Sequence, residues 1–244
     1  MATTLTGYPL IIGQDVYSNS SVQQLPLGTY AETNDGRGFR YVKVGAVDTV
    51  PGKVYQGPAE DTTNLSPSGG LSIAAQSVGD TSVTLTSSIT YATANGLAGG
   101  TLTVNVGAGI GQMYKIKGNT AVTAAAGMVI TLEDPIRVAL TTSSKIDLRA
   151  SLYSGIVVTP ATMTNSNVGV AVSIITAAQY GWVQTHGITS CLQTGTGTCG
   201  TALGVLQGGT IGSLAPAIAG TPILGWAAGT NVTGEYGTVF LTMN

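Results

Sequence analysis

The residues that could do chemistry are few. His186 is the lone histidine among 244 residues. A Ser-His-Asp arrangement needs an acid to orient the imidazole. The sole acid between Ala150 and Asn244 is Glu235, and no G-x-S-x-G elbow occurs. Within one chain, no two-histidine or three-histidine metal site can form. Three copies of His186 on a trimer axis would be the exception. Adjacent carboxylates occur at Glu60-Asp61 and Glu133-Asp134. Neighbours on a strand point to opposite faces, so such pairs suit solvated turns better than paired acid–base work. Gly107-Ala-Gly109-Ile-Gly111 follows a strand pattern, but its last glycine comes one position early for a dinucleotide loop. A strand follows where a helix N-terminus would be needed for phosphate, so a turn is the reading.

Cys191 and Cys199 flank LQTGTGT. That spacing allows a hairpin-bridging disulfide, and it fits no zinc pattern. The N-terminus MATTLTGYPLIIG has no basic region followed by a long apolar one, so no targeting segment is read and free thiols are the expectation. Asn19, Asn64 and Asn231 lie in N-x-S/T sequons, which carry no weight without secretion. Trp182, Trp226 and ten tyrosines supply rings for packing or for stacking on sugars. No catalytic, cofactor-binding or metal-binding residue is assigned, and no cofactor is expected.

Composition narrows the class. Charged residues make up 8% of the chain against about 25% in an ordinary domain. A disordered chain is excluded by a hydrophobic content of 43%. A basic nucleic-acid binder is excluded by a net charge of −2. The apolar stretch Leu214 to Gly229 is interrupted by Pro216 and Pro222, and about 20 apolar residues are needed to span a bilayer. Partners therefore include neither nucleic acid nor membrane. Every Lys and Arg lies at or before Arg149, and from Ala150 to Asn244 the only formal charge is Glu235. Such a stretch makes a poor free surface and a good oligomer centre.

The elements that position these residues are strands. SVTLT (82–86), TLTVNV (101–106), MYKIK (113–117), MVITL (128–132), KIDLR (145–149) and GTVFLTM (237–243) alternate or are β-rich. In KIDLR, Ile146 and Leu148 should face inward. Asp35-Gly36 marks a turn, Phe39–Val44 a strand, Pro51-Gly52 a second turn and 53–56 a returning strand. In QYGWVQTHG (179–187), alternation puts Tyr180 and Trp182 on one face. AVTAAA (121–126) permits at most one helical turn. The expected class is all-β, short-stranded β-barrel or sandwich modules with an extended N-terminal arm. Expected divisions are 1–61 (arm and β-hairpin), 62–135 (a β-module reached through the linker DTTNLSPSGG) and 136–244 (a C-terminal β-body and oligomer core).

Three stretches resemble virion structural proteins of tailed bacteriophages, of the type that decorates or cements capsids. They are LGTYAETNDGRGFRYVKVGAVDTVPGK (27–53), GIGQMYKIKGNTAVTAAAGMVITLEDPIRVAL (109–140) and VGVAVSIITAAQYGWVQTHG (168–187). They cover about a third of the chain, and none carries chemistry. The resemblance implies a non-enzymatic protein on the outer capsid surface of a virion, assembled in the host cytoplasm. Its partners would be the major capsid protein and itself, as a homotrimer. The arm would add a strand to a neighbouring sheet edge. Contacts to shell or sister subunits are expected from Tyr8, Ile11, Ile12, Arg37, Phe39, Tyr41, Tyr180 and Trp182. The alternative is a glycan- or host-surface-binding module of a phage fibre or bacterial surface, working through its tryptophans. A virion depolymerase would need a site built between chains.

Overall fold

A computed structural model describes residues 14–243, and all regular structure among them is β. Eighteen strands follow in chain order: β1 (Tyr30–Glu32), β2 (Gly38–Val44), β3 (Val54–Gln56), β4 (Leu71–Ser72), β5 (Ser82–Thr84), β6 (Ile89–Tyr91), β7 (Thr101–Val106), β8 (Met113–Asn119) and β9 (Val122–Ala126). The second half holds β10 (Val129–Leu132), β11 (Lys145–Arg149), β12 (Ser154–Val158), β13 (Asn167–Ala171), β14 (Tyr180–Leu192), β15 (Ala202–Gly204), β16 (Ala215–Pro216), β17 (Gly225–Ala227) and β18 (Tyr236–Thr242).

They form two compact units. The second, Ala59–Ser151, is inserted into the first, which is made from the chain before and after it. This corrects the expected divisions. Residues 14–58 share a unit with 152–243, and the exit expected at Pro135 falls inside the insert. The cause is β11, which pairs with β7 and β4 and so keeps residues 136–151 with the insert. The expected linker is also part of it. Leu65 is buried in its core, and Leu148 N–H donates to Leu65 O.

In the first unit, β2, β12, β3, β13 and β14 pair in a closed circuit, a five-stranded barrel. Closure leaves these strands no free edge. Alternate residues point inside. Val42, Val44, Tyr55, Ile156, Val168 and Val183 fill that interior. The expected return of 53–56 onto 39–44 does not occur: β12 lies between β2 and β3. The hairpin around Asp35-Gly36 is instead β1 with β2. The strand β14 is 13 residues long and serves two sheets. Its first half closes the barrel, and its second half pairs with β18, which continues to β17, β15 and β16. The inner face of this outer sheet buries Cys191, Leu203, Ala227, Val239 and Leu241.

In the second unit, the sheet order is β4-β11-β7-β8-β10-β5, and a bridge between Ile73 and Leu85 joins its two ends. Tyr114, Ile116, Ile130, Leu132, Ile146 and Leu148 alternate inward as their strand patterns require. Gly107, Gly109 and Gly111 all take positive φ in the β7–β8 turn, a backbone that side chains with a Cβ rarely adopt. AVTAAA contributes β9, paired with β6, where one helical turn was the most expected. Cross-strand hydrogen bonds override the weak helix preference of alanine.

Candidate functional site

Four of the expected contact residues, Phe39, Tyr41, Tyr180 and Trp182, come together on one face of β2 and β14. The register pairs Tyr41 with Trp182 and Phe39 with Gln184. The Tyr41 and Trp182 rings meet at 5.2 Å, edge to face, and Tyr41 stacks with Tyr180 at 6.1 Å. Phe39, Tyr41 and Trp182 are buried, so they offer no area to a shell or sister subunit. They hold the chain's own N-terminal segment. Trp182 Nε1–H donates to Gln14 Oε1 at 3.0 Å. Gln24 N–H donates to the Tyr41 hydroxyl at 3.2 Å. Ser20 and Tyr180 exchange backbone hydrogen bonds at 2.9 Å, and Gly28 and Thr29 bond to Tyr41. Val16, Leu25 and Leu27 cover the rings.

The extended arm is thereby corrected for residues 14–30. At Ser20, Gly28 and Thr29 its backbone pairs with β2 and β14 of its own unit. Tyr8, Ile11 and Ile12 lie outside the described residues. Arg37 is more accessible, though engaged. Its Nε donates to Asp35 Oδ2 at 2.8 Å and its Nη1 to the Tyr17 hydroxyl at 3.2 Å. The Thr33 hydroxyl and then the Arg37 guanidinium hold the Asp35 carboxyl below its usual range. Tyr180 is half-buried, with Lys43 Nζ 5.5 Å from its ring centre.

The exposed apolar surface lies elsewhere. On the outer sheet, Ile188 pairs with Phe240 and Phe240 with Trp226. Directly opposed residues share a face, so these three side chains form a row across β14, β18 and β17. Their exposures are 49%, 38% and 43%, high for large apolar groups side by side. His186 packs its ring edge-to-face on Phe240 at 5.3 Å. A cleft of about 320 Å³, lined in part by Ile188, Tyr236, Tyr17 and Arg37, adjoins the row. Of the two tryptophans considered for sugar stacking, Trp226 alone is exposed. The low charge of this half points to a covered surface, but the row itself needs the β14–β18–β17 register.

A second feature is a cavity of about 750 Å³ within the first unit, lined by Arg40, Tyr153, Asn165, Thr185, Gln207 and Leu224 among others. Arg40 shares a face of β2 with Val42 and Val44, so it stands at the mouth of the barrel. Its guanidinium carbon lies 5.3 Å from the Tyr30 ring centre and 5.9 Å from that of Tyr153. Its Nη1 donates to Gly28 O at 2.9 Å. No local pattern marks Arg40, because Tyr153 reaches it from beyond the inserted unit.

Both cysteines are free thiols. Cys191 is buried on the inner face of β14, and burial pushes its thiol up to about 12. Cys199 is exposed. The adjacent carboxylates occupy separate roles: Glu60 pairs with Arg149 at 2.7 Å, while Asp61 accepts the backbone N–H groups of Thr63 and Asn64. Comparison with family models, curated proteins and solved structures finds no match.

Proposed function

We propose that this is a non-enzymatic structural protein of a tailed-phage particle that decorates the outer capsid surface and bridges capsid subunits. The observation that carries the reading is the row Ile188–Phe240–Trp226, on a half of the chain whose only formal charge is Glu235. An apolar row on an almost uncharged sheet face suits burial against another protein surface. Small residues around it let surfaces approach closely at little cost in side-chain entropy. The three virion-like stretches point to the same role.

In this reading the partners are the major capsid protein and further copies of the chain, arranged as a homotrimer around the outer sheet. Repetition over a lattice makes weak contacts effective through avidity. The described part of the N-terminal segment then acts as a brace of the first unit, leaving bridging to the outer sheet.

The test is the copy number per particle, measured by quantitative mass spectrometry of purified virions with the major capsid protein as internal standard. A ratio near one copy per capsid subunit is the expected result. A few copies per particle would move the protein to a vertex, fibre or tail. Absence from virions would overturn the reading.

A further inference from the structure

We propose that the cavity at the barrel mouth binds a sugar acid, with Arg40 receiving its carboxylate. The inference is independent of the decoration role. The cavity's about 750 Å³ falls within the range of small-ligand sites, and barrel mouths are a common place for them. Among the described residues Arg40 is its one charged lining residue, and no Asp or Glu lines it. Nor does Arg40 form an ion pair elsewhere among the described residues. A guanidinium in a concave, partly dry site gains most from a ligand that brings the opposite charge.

The geometry favours a carboxylate. Tyr30 and Tyr153 flank the planar guanidinium, and Gly28 O anchors one nitrogen. That arrangement fixes the direction of the donor fork, which matches two carboxylate oxygens. A phosphate carries more charge and is usually met by several cations or a helix N-terminus, neither of which lines this cavity.

The rest of the wall describes the body of the ligand. Gln207 offers an exposed amide, and Pro222, Leu224 and Met243 an apolar side. Asn165 Nδ2 already donates to Pro58 O and Thr185 Oγ1 to Gly38 O, which leaves one further N–H and a hydroxyl lone pair for a ligand. A pyranose has both characters: hydroxyl groups around the ring and a C–H face. An aliphatic acid would leave the Gln207 amide unused.

The test is calorimetric titration of the full chain at low salt with D-glucuronate, D-galacturonate and N-acetylneuraminate, and with D-glucose and acetate as controls. Saturable binding of at least one acidic sugar is expected, with glucose and acetate about tenfold or more weaker. The Arg40→Gln variant should lose about tenfold or more in affinity. Gln207 is exposed, so Gln207→Glu keeps the fold while placing a negative charge at the cavity. It should weaken acidic-sugar binding several-fold, less so as salt is raised. The proposal fails if no acidic sugar binds at about 10 mM, or if glucose or acetate binds as well as the best acid. It fails equally if Gln207→Glu leaves affinity unchanged, a result that decides the matter even should Arg40→Gln not fold.

Discussion

Trp182 and Gln14 are joined by a hydrogen bond of 3.0 Å from the indole N–H to the amide oxygen, across 168 positions of sequence. The bond ties the first described residue to the strand shared by the barrel and the outer sheet. It turns a segment of polar, irregular sequence into part of the first unit. Trp182→Ala should therefore cost about 3–5 kcal/mol, the range for truncating a buried aromatic. Gln14→Ala should cost about 1 kcal/mol. Denaturant unfolding of the two single variants and the double variant checks both values. The double should cost less than the sum, because each single change already breaks the shared bond.

The outer-sheet row can be tested without harming the fold. Phe240→Glu and Ile188→Glu each put a charge among exposed apolar side chains. For Ile188→Glu stability should move by about 0.5 kcal/mol or less, as for surface changes; Phe240→Glu should cost about 1 kcal/mol more, because it also loses the ring contact with His186. Self-association, followed by sedimentation velocity, should weaken by about tenfold, since burying such a side chain contributes roughly 1–2 kcal/mol. Unchanged association would count against the self-association proposed for this row.

The two thiols should behave differently. Iodoacetamide should label Cys199 in the native protein and Cys191 only after unfolding. Burial raises the Cys191 thiol from 9.0 to about 12. Its neutral form is the one the fold accommodates, so its contribution is fully present below pH 9. Between pH 9 and 12 the unfolded chain loses this proton and the folded one keeps it, so stability falls as pH rises. The slope approaches about 1.4 kcal/mol per pH unit for one proton. Equilibrium unfolding at alkaline pH should show this fall, and Cys191→Ala should remove its share, leaving that of Tyr55 and Tyr91, whose hydroxyls burial also pushes up.

Gly28 supports both the N-terminal segment and the cavity. Its φ is +83°, and a Cβ there would stand 2.6 Å from the Tyr153 ring. Gly28→Ala should cost about 1–3 kcal/mol through backbone strain and displacement of that ring. Thermal unfolding reads the cost, and the near-ultraviolet circular dichroism of the tyrosines should change with it.

In the inserted unit, Asp61 organises the chain's entry. Burial pushes its carboxyl up, but N–H donation from Asn64 and Thr63 outweighs that and leaves it below its ordinary 3.8. The contribution is present above pH 3.8 and is lost as pH falls through the lower folded value. Asp61→Ala should cost about 1 kcal/mol at neutral pH. The difference from the parent protein should vanish in acid, as measured by denaturant unfolding at both pH values.

Alternation determined much of this protein without help from the third dimension. A period of two is a property of five or six neighbouring residues. Lys145–Arg149 thus disclosed both its strand and its inward Ile146 and Leu148, and the 179–187 pattern disclosed that Tyr180 and Trp182 share a face. The glycines at 107, 109 and 111 announced a turn for the same local reason. Which strand pairs with which was decided only by the tertiary structure. β12 enters between β2 and β3 from beyond the 93-residue insert Ala59–Ser151. Lengthening a loop adds little closure cost, so sequence separation leaves few clues to such partnerships. The burial of Trp182 under residues 14–29, the row Ile188–Phe240–Trp226, and the placing of Arg40 between Tyr30 and Tyr153 all depend on that long-range register. A one-residue slip in any of those pairs would turn the side chains to the other face.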